Sequence, residues 1–238
     1  MSRGSSPTES GRARLDRQAV IGTALSVADA EGLENLTIRR LAKQLGVTPM
    51  ALYWHVADKQ ALLDALADEV WADALALAGA PDADDPWGEV RTMVSALVTA
   101  MRRHPVIAPL LVTRVLENES SLALTERALQ AFGRLGYSIG ETVELVQWLF
   151  GATVNLVTNH PGCAIVDPAL CDEAARTKRA RLLALPPERF PLLAAAADAF
   201  ADFIRGEGSD RYFATGIELL VGAIHASAGT RERADAAG

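Results

Sequence analysis

Residues 33–63 (LENLTIRRLAKQLGVTPMALYWHVADKQALL) constrain the fold more than any other stretch of the chain. Thr37 is placed to cap a helix carrying Ile38, Leu41, Ala42 and Leu45 on one face, and Gly46 stops it in a left-handed conformation. Thr48 caps a second short helix, running to Trp54 or His55, with Pro49 in the first turn, where a missing N–H costs nothing. The Gly46-Val47 join is as tight as a helix-turn-helix requires. Leu41, Leu45, Val47 and Leu52 supply a shared core, with the small Ala42 at the crossing. Thr48, Pro49, Met50, Ala51, Tyr53, Trp54 and His55 are left toward the outside. Exposing Tyr, Trp and His together on a small domain is costly unless that surface is used. A helix of this size fits the major groove of DNA, its first residues facing the base edges.

The rest of the chain reads as helices around this unit. Asp16 caps a first helix over 16–31, with Ala19, Val20, Thr23, Ala24, Val27, Ala28 and Ala30 at helical spacing and Gly32 at its end. Asp58 caps a fourth over 58–78, bearing Leu62, Leu63, Leu66, Val70, Ala74 and Leu77. The run Pro81 to Pro86 (PDADDP) is a turn cluster and marks the domain boundary. Helices are expected beyond it at 87–103, 105–115, 120–135, 140–159, 188–205 and 210–228. Residues 161–187 give no readable period. With no strand-length alternation, the expected fold is all-α. Residues 1–14 form a disordered tail and 15–62 a three-helix head, with 58–78 as connector. Residues 79–228 are expected to form a larger helical body, and 229–238 a tail.

Half of the residues are hydrophobic and 22% charged, which excludes disorder for the bulk of the chain. No apolar run reaches membrane-spanning length uninterrupted, and the polar residues 1–14 do not read as a leader. With two cysteines, Cys163 and Cys171, a disulfide framework is not expected, and the reading is a cytoplasmic protein with no membrane partner. The net charge of −7 hides an asymmetry. Residues 1–62 hold eight Lys/Arg against six Asp/Glu, whereas 63–238 hold 15 against 24. A mildly positive head on a negative body suits a polyanion at one end.

LTIRRLAKQLGV, ALYWHV and DKQALLDALADEV, over roughly residues 15–75, resemble the DNA-binding head of the TetR family of repressors, its tetracycline-binding branch in particular. The resemblance implies a homodimer whose heads grip a palindromic operator on double-stranded DNA while the bodies bind a small-molecule effector. In that pattern Arg39 matches an arginine that reads a guanine. Pro49, Met50 and Ala51 sit at positions where the family varies its base-reading residues. Met50 and Ala51 offer only apolar contact, as with a thymine methyl, so a different operator is expected. Tyr53, Trp54 and His55 match groups that pack on the sugar-phosphate, and Lys59 a phosphate clamp. Thr37 and Thr48 read as caps, with or without a phosphate contact, and Trp54 also reads as packing against the first helix. Arg3, Arg12, Arg14 and Arg17 read as a minor-groove arm or, for the first three, as plain tail.

In the body, 143–157 (VELVQWLFGATVNLV) and 212–226 (YFATGIELLVGAIHA) are apolar on nearly every face and need cover on two sides. The resemblance implies a four-helix interface between subunits, here assigned to Val146, Leu149, Phe150, Val154, Ile217, Leu220, Val221 and Ile224; a large monomeric core is the rival. Gly216 and Gly222 would let helices approach closely. The effector pocket is assigned to Met93, Leu97, Leu111, Arg114, Phe132, Trp148 and Asn155, with ordinary core as the alternative for each. Leu111 stands where the tetracycline-binding branch has a magnesium-binding histidine, so tetracycline is not the expected effector. No cofactor or metal is expected: His160, Cys163, Asp167, Cys171 and Asp172 match no common zinc spacing. His104 and His225 read as caps or core histidines. No nucleophile–base pair or phosphate loop is visible, so no enzyme is expected. The alternative function is a helical small-molecule binding protein or enzyme with a vestigial head.

Overall fold

A computed structural model describes residues 16–160 and 168–235, which form helices and no strand. The expected arm residues Arg3, Arg12 and Arg14 therefore lie outside the described residues, as do Cys163 and Asp167. The head comprises α1 (Arg17–Glu31), α2 (Ile38–Leu45) and α3 (Pro49–Tyr53), with α4 (Lys59–Ala78) leading out of it. Its caps are the expected ones. The side chains of Asp16, Thr37, Thr48 and Asp58 accept from the N–H of Ala19, Arg40, Ala51 and Ala61. Gly46 is left-handed at φ +66°, a conformation that a Cβ would strain. Leu36, Leu41, Leu52 and Leu62 are fully buried against Val20 and Ala24 of α1, with Leu45 and Val47 packed at the edge.

The body consists of α5 (Pro86–Arg103), α6 (Ala108–Val112), α7 (Glu119–Arg134), α8 (Ile139–Thr158), α9 (Pro168–Leu183), α10 (Pro191–Ala195), α11 (Ala197–Ile204) and α12 (Ser209–Asp235). Helix α4 packs on α5 and α7 of the body and on α1 of the head, so one rod belongs to both. At 1.5 Å per residue its 20 residues span about 30 Å. A buried pair, Arg127 of α7 and Glu89 of α5 (2.6 Å), ties down the turn after α4, because Arg127 also donates to the Gly79 carbonyl at 2.8 Å. Asp85 caps α5 next to Pro86, as the PDADDP turn suggests.

Several expectations are corrected here. The stretch 105–115 yields only the five-residue α6, and 188–205 breaks at Ala196 into α10 and α11. Residues 168–183, inside the stretch read as irregular, are the 16-residue α9, which packs against α11. Its charged composition hid it: among its described side chains only Ala175 is fully buried, and Arg179 and Asp172 pair with Asp198 and Arg205 of α11 and its end. Helix α12 runs to Asp235, into the stretch read as tail. A Cβ on Gly216 would lie 2.5 Å from Leu156, so α12 and α8 approach closely there; Gly222 faces open space. Among the described residues no helix is long and apolar enough to cross a membrane.

Candidate nucleic-acid interface and inner cavity

The outer face of α3 is the most exposed apolar surface of the head. Met50 is 69% exposed, Tyr53 49% and Trp54 86%, while Leu52 between them is fully buried. The packing alternative for Trp54 is thus overturned: its indole does not lie against α1. Thr37, Arg39, Thr48, Pro49 and Lys59 are exposed beside this face, and Ala51 and His55 are half-buried. Leu52 anchors α3 in the core while the Tyr53 and Trp54 rings stay outside.

The two adjacent arginines of α2 have separated roles. Arg40 is bound to Glu31 at the end of α1 and to Gln44 at 2.9 Å, so it locks α2 to α1. The Arg40 hydrogen bond holds the Glu31 carboxyl below the usual carboxylate range, and Glu31 in turn raises the guanidinium. Arg39, by contrast, is exposed. Lys59 donates to the Leu33 carbonyl at 3.3 Å, which places its ammonium over the α1–α2 loop at the first turn of α4. Of the site residues read from the sequence, Thr37, Arg39, Thr48, Pro49, Met50, Tyr53, Trp54 and Lys59 are thus exposed. Neither the Glu31–Arg40 clamp nor the Lys59–Leu33 bond was read there, because both are contacts between elements.

Two hollows stand out among the described residues of the body. One, of about 80 Å³, lies between α4, α5, α7 and α8 and the loop after α6. Met93, Leu97 and Phe132, assigned from the sequence to an effector pocket, line it together with Val146, Leu149 and Phe150, which the sequence had assigned to a dimer interface. The other, a groove of about 1130 Å³, runs along α8, α11 and α12 and takes in Asn155 and Leu220.

Four further assignments are corrected. Leu111 is fully buried in the core and lines neither hollow. Arg114 is held by Asp64 of α4 at 2.7 Å and by the Thr113 hydroxyl at 2.9 Å, so it is a strut between loop and rod. Trp148 is 53% exposed on the outer side of α8. Val154, Val221 and Ile224 are buried within the single chain, and Ile217 is packed against the same core. Apolar residues on every side of a helix leave periodicity nothing to assign faces with, and inner and outer faces were exchanged. The exposed stripe is instead Val143, Trp148 and Gly151 on α8 with Leu219, Gly222 and Ala223 on α12.

Of the histidine–cysteine cluster, His160, Cys171 and Asp172 lie among the described residues. The buried His160 imidazole is enclosed by the rings of Phe203, Tyr212 and Phe213, and burial with the nearby Arg102 pushes its pKa below the ordinary value. Cys171 donates its thiol to the Ile204 carbonyl. No group of three metal-ligating side chains occurs among the described residues. His104 ends α5 and meets Asp29 of α1 at 2.7 Å, and His225 stacks on Trp87 with ring centres 4.5 Å apart.

Two family models match the chain. Residues 20–66 match the family described as bacterial regulatory proteins, tetR family, and residues 79–227 match the tetracyclin repressor-like C-terminal domain. The class A tetracycline repressor from transposon 1721 of Escherichia coli is 30% identical over 87% of this chain and 89% of its own length. Among solved structures, Streptomyces coelicolor ActR in complex with actinorhodin superposes with a TM-score of 0.67 at 25% identity, over 91% of this chain and all of that one. BioQ with its double-stranded DNA operator gives 0.53 at 25% identity, over 78% of this chain and 99% of that one.

Proposed function

Because this chain belongs to the tetR family of bacterial regulatory proteins, we propose that it is a cytoplasmic homodimeric repressor, released from a palindromic operator by a small molecule bound in its body. The observation that carries the reading is the α3 face. Met50, Tyr53 and Trp54 stand in water on a five-residue helix whose geometry is fixed by the Thr48 cap, Pro49 and the Leu52 anchor. Such a surface is stable only as a rigid insert awaiting a partner, and its size suits the major groove. Arg39 supplies the bidentate donor for a guanine, Lys59 and the amides of the first turn of α4 meet phosphate, and Tyr53, Trp54 and His55 lie against the sugar-phosphate.

A single short helix discriminates poorly, whereas two held about 34 Å apart read a palindrome. The exposed stripe of α8 and α12 supplies the surface for the second copy, and the open groove beside it is assigned to that interface. The resemblance to a protein solved with its DNA operator and to one solved with actinorhodin supports both halves of the reading. Moving operator occupancy from nearly full to nearly empty requires an effector that prefers the released state by roughly 5.5 kcal/mol. No observation favours the enzyme alternative.

The test is selection of bound sequences from random duplex DNA, followed by gel shifts across a salt series. The selected site is expected to be palindromic and its binding salt-steep. The double variant Arg39→Ala/Lys59→Ala is expected to lose sequence-specific binding; full retention would show the head assignment to be wrong.

A further inference from the structure

The inner cavity carries a chemical signature beyond its location. We propose that its ligand is an uncharged, flat, conjugated molecule carrying an oxygen acceptor, such as a ring carbonyl, that takes the indole N–H of Trp71. The inference rests on the effector reading above and names the class of molecule that would serve.

Three observations carry it. First, none of the lining side chains is ionisable; besides the indole, Thr125 and Gln147 offer the polar groups, and the rest is hydrocarbon, aromatic ring or the Met93 thioether. A charge brought here would be desolvated with no counter-charge in the lining, which excludes carboxylates, phosphates and ammonium groups. Second, Trp71 and Phe150 both line the cavity, stacked with centroids 5.3 Å apart and planes inclined by 25°. Stacked walls of this kind favour a flat π-system over a branched aliphatic one. Third, Trp71 is 3% exposed, and its Nε1–H is buried without any hydrogen-bond partner. An indole N–H can only donate, and leaving it unmet in the interior has a cost that an incoming acceptor would remove.

The cavity is also small. About 80 Å³ is less than the ~150 Å³ that accommodates benzene in an engineered apolar cavity, so a ligand must widen it. The wall that can give is the loop after α6. Leu116 lines the cavity, is half exposed and holds φ at +66°, a backbone conformation that strains a leucine. Moving it relieves strain while admitting a molecule larger than the present space.

Fluorenone, fluorene and fluorenone-4-carboxylate test this directly, because they share one flat frame and differ in acceptor and charge. Binding is measured by calorimetry and thermal shift on the full chain and on Trp71→Phe, which keeps a ring beside Phe150. Fluorenone is expected to bind wild type at least about fivefold tighter than either analogue. In Trp71→Phe its advantage over fluorene is expected to disappear while fluorene binding stays the same. No binding by any of the three, fluorene equal to fluorenone, the carboxylate tightest, or an advantage untouched by Trp71→Phe would each overturn the proposal. Should that variant fail to fold, the wild-type series decides alone. A gel shift on the same preparation keeps the two readings apart. Operator binding without the fluorenone preference sinks only this inference, whereas absence of operator binding sinks the regulator reading.

Discussion

At the scale of single residues, α3 trades hydrogen-bonding readout for apolar contact. Pro49, Met50 and Ala51 bring no polar side-chain atom to the position from which a recognition helix reads bases. What such a helix can sense is the thymine methyl, the one apolar feature of the major-groove code. Met50, with 69% of its surface in water, is the residue placed to reach it. Replacing individual thymines of the selected operator by deoxyuridine is therefore expected to weaken binding about three- to tenfold at one position per half-site. Met50→Ala should bind both duplexes equally. A wild-type protein indifferent to every thymine-to-uracil change would remove direct apolar readout from the account. The residues of this face were legible in the sequence because each carries its own local signal: cap, proline, glycine stop and apolar anchor. Trp54 was legible as a site but not in its placement, since exposure depends on α1 passing elsewhere.

At the scale of elements, legibility followed periodicity and failed where periodicity carries no direction. Helices α1 to α5 and α7 each have one buried stripe and a capping residue, and their expected bounds match within a few residues. Helix α9 lacks that stripe because it packs on the short α10 and α11, and it was missed. In α8 the apolar positions surround the axis, so Phe150 and Trp148 were placed on each other's sides. Most hidden was the Glu89–Arg127 pair, two charges 38 positions apart that meet inside the body. Breaking a buried pair strands the remaining charge, whereas replacing both with apolar groups of similar volume is often near neutral. Arg127→Met is therefore expected to lower unfolding free energy by about 3–5 kcal/mol. Glu89→Leu/Arg127→Met should recover most of that loss, as read by urea denaturation. Additive losses in the double variant would mean that the Gly79 carbonyl contact, not the ion pair, is what holds the turn.

At the scale of the whole molecule, the polar contacts that join α1 and α4 to the body are the routes by which, on the proposed function, a ligand in the cavity would act on the head. Asp29 of α1 meets His104 at the end of α5, Asp73 of α4 meets Arg103 at 2.7 Å, and Asp64 of α4 meets Arg114. The third differs from the others in what lies beside it. Arg114 immediately precedes Val115 and Leu116, the cavity wall with the strained backbone, while Asp64 lies within the first two turns of the helix whose first residue is Lys59. In the proposed release, a ligand that displaces Leu116 would pull on Arg114, and Arg114 on the start of α4, beside the proposed phosphate contact at Lys59. Coupling between two sites is a free energy carried by contacts that differ between states, so removing such a contact lowers the coupling and need not lower either affinity. Arg114→Met, which keeps much of the buried stem, is therefore expected to hold operator affinity within about threefold of wild type. The factor by which a releasing compound weakens operator binding should fall about tenfold, or about 1.4 kcal/mol, within the roughly 0.5–2 kcal/mol typical of a coupling residue. Fluorescence anisotropy of labelled operator, titrated with protein at zero and saturating compound, gives both quantities at once. An unchanged factor would place the transmission at Asp29–His104 or Asp73–Arg103 and leave Arg114 a structural strut.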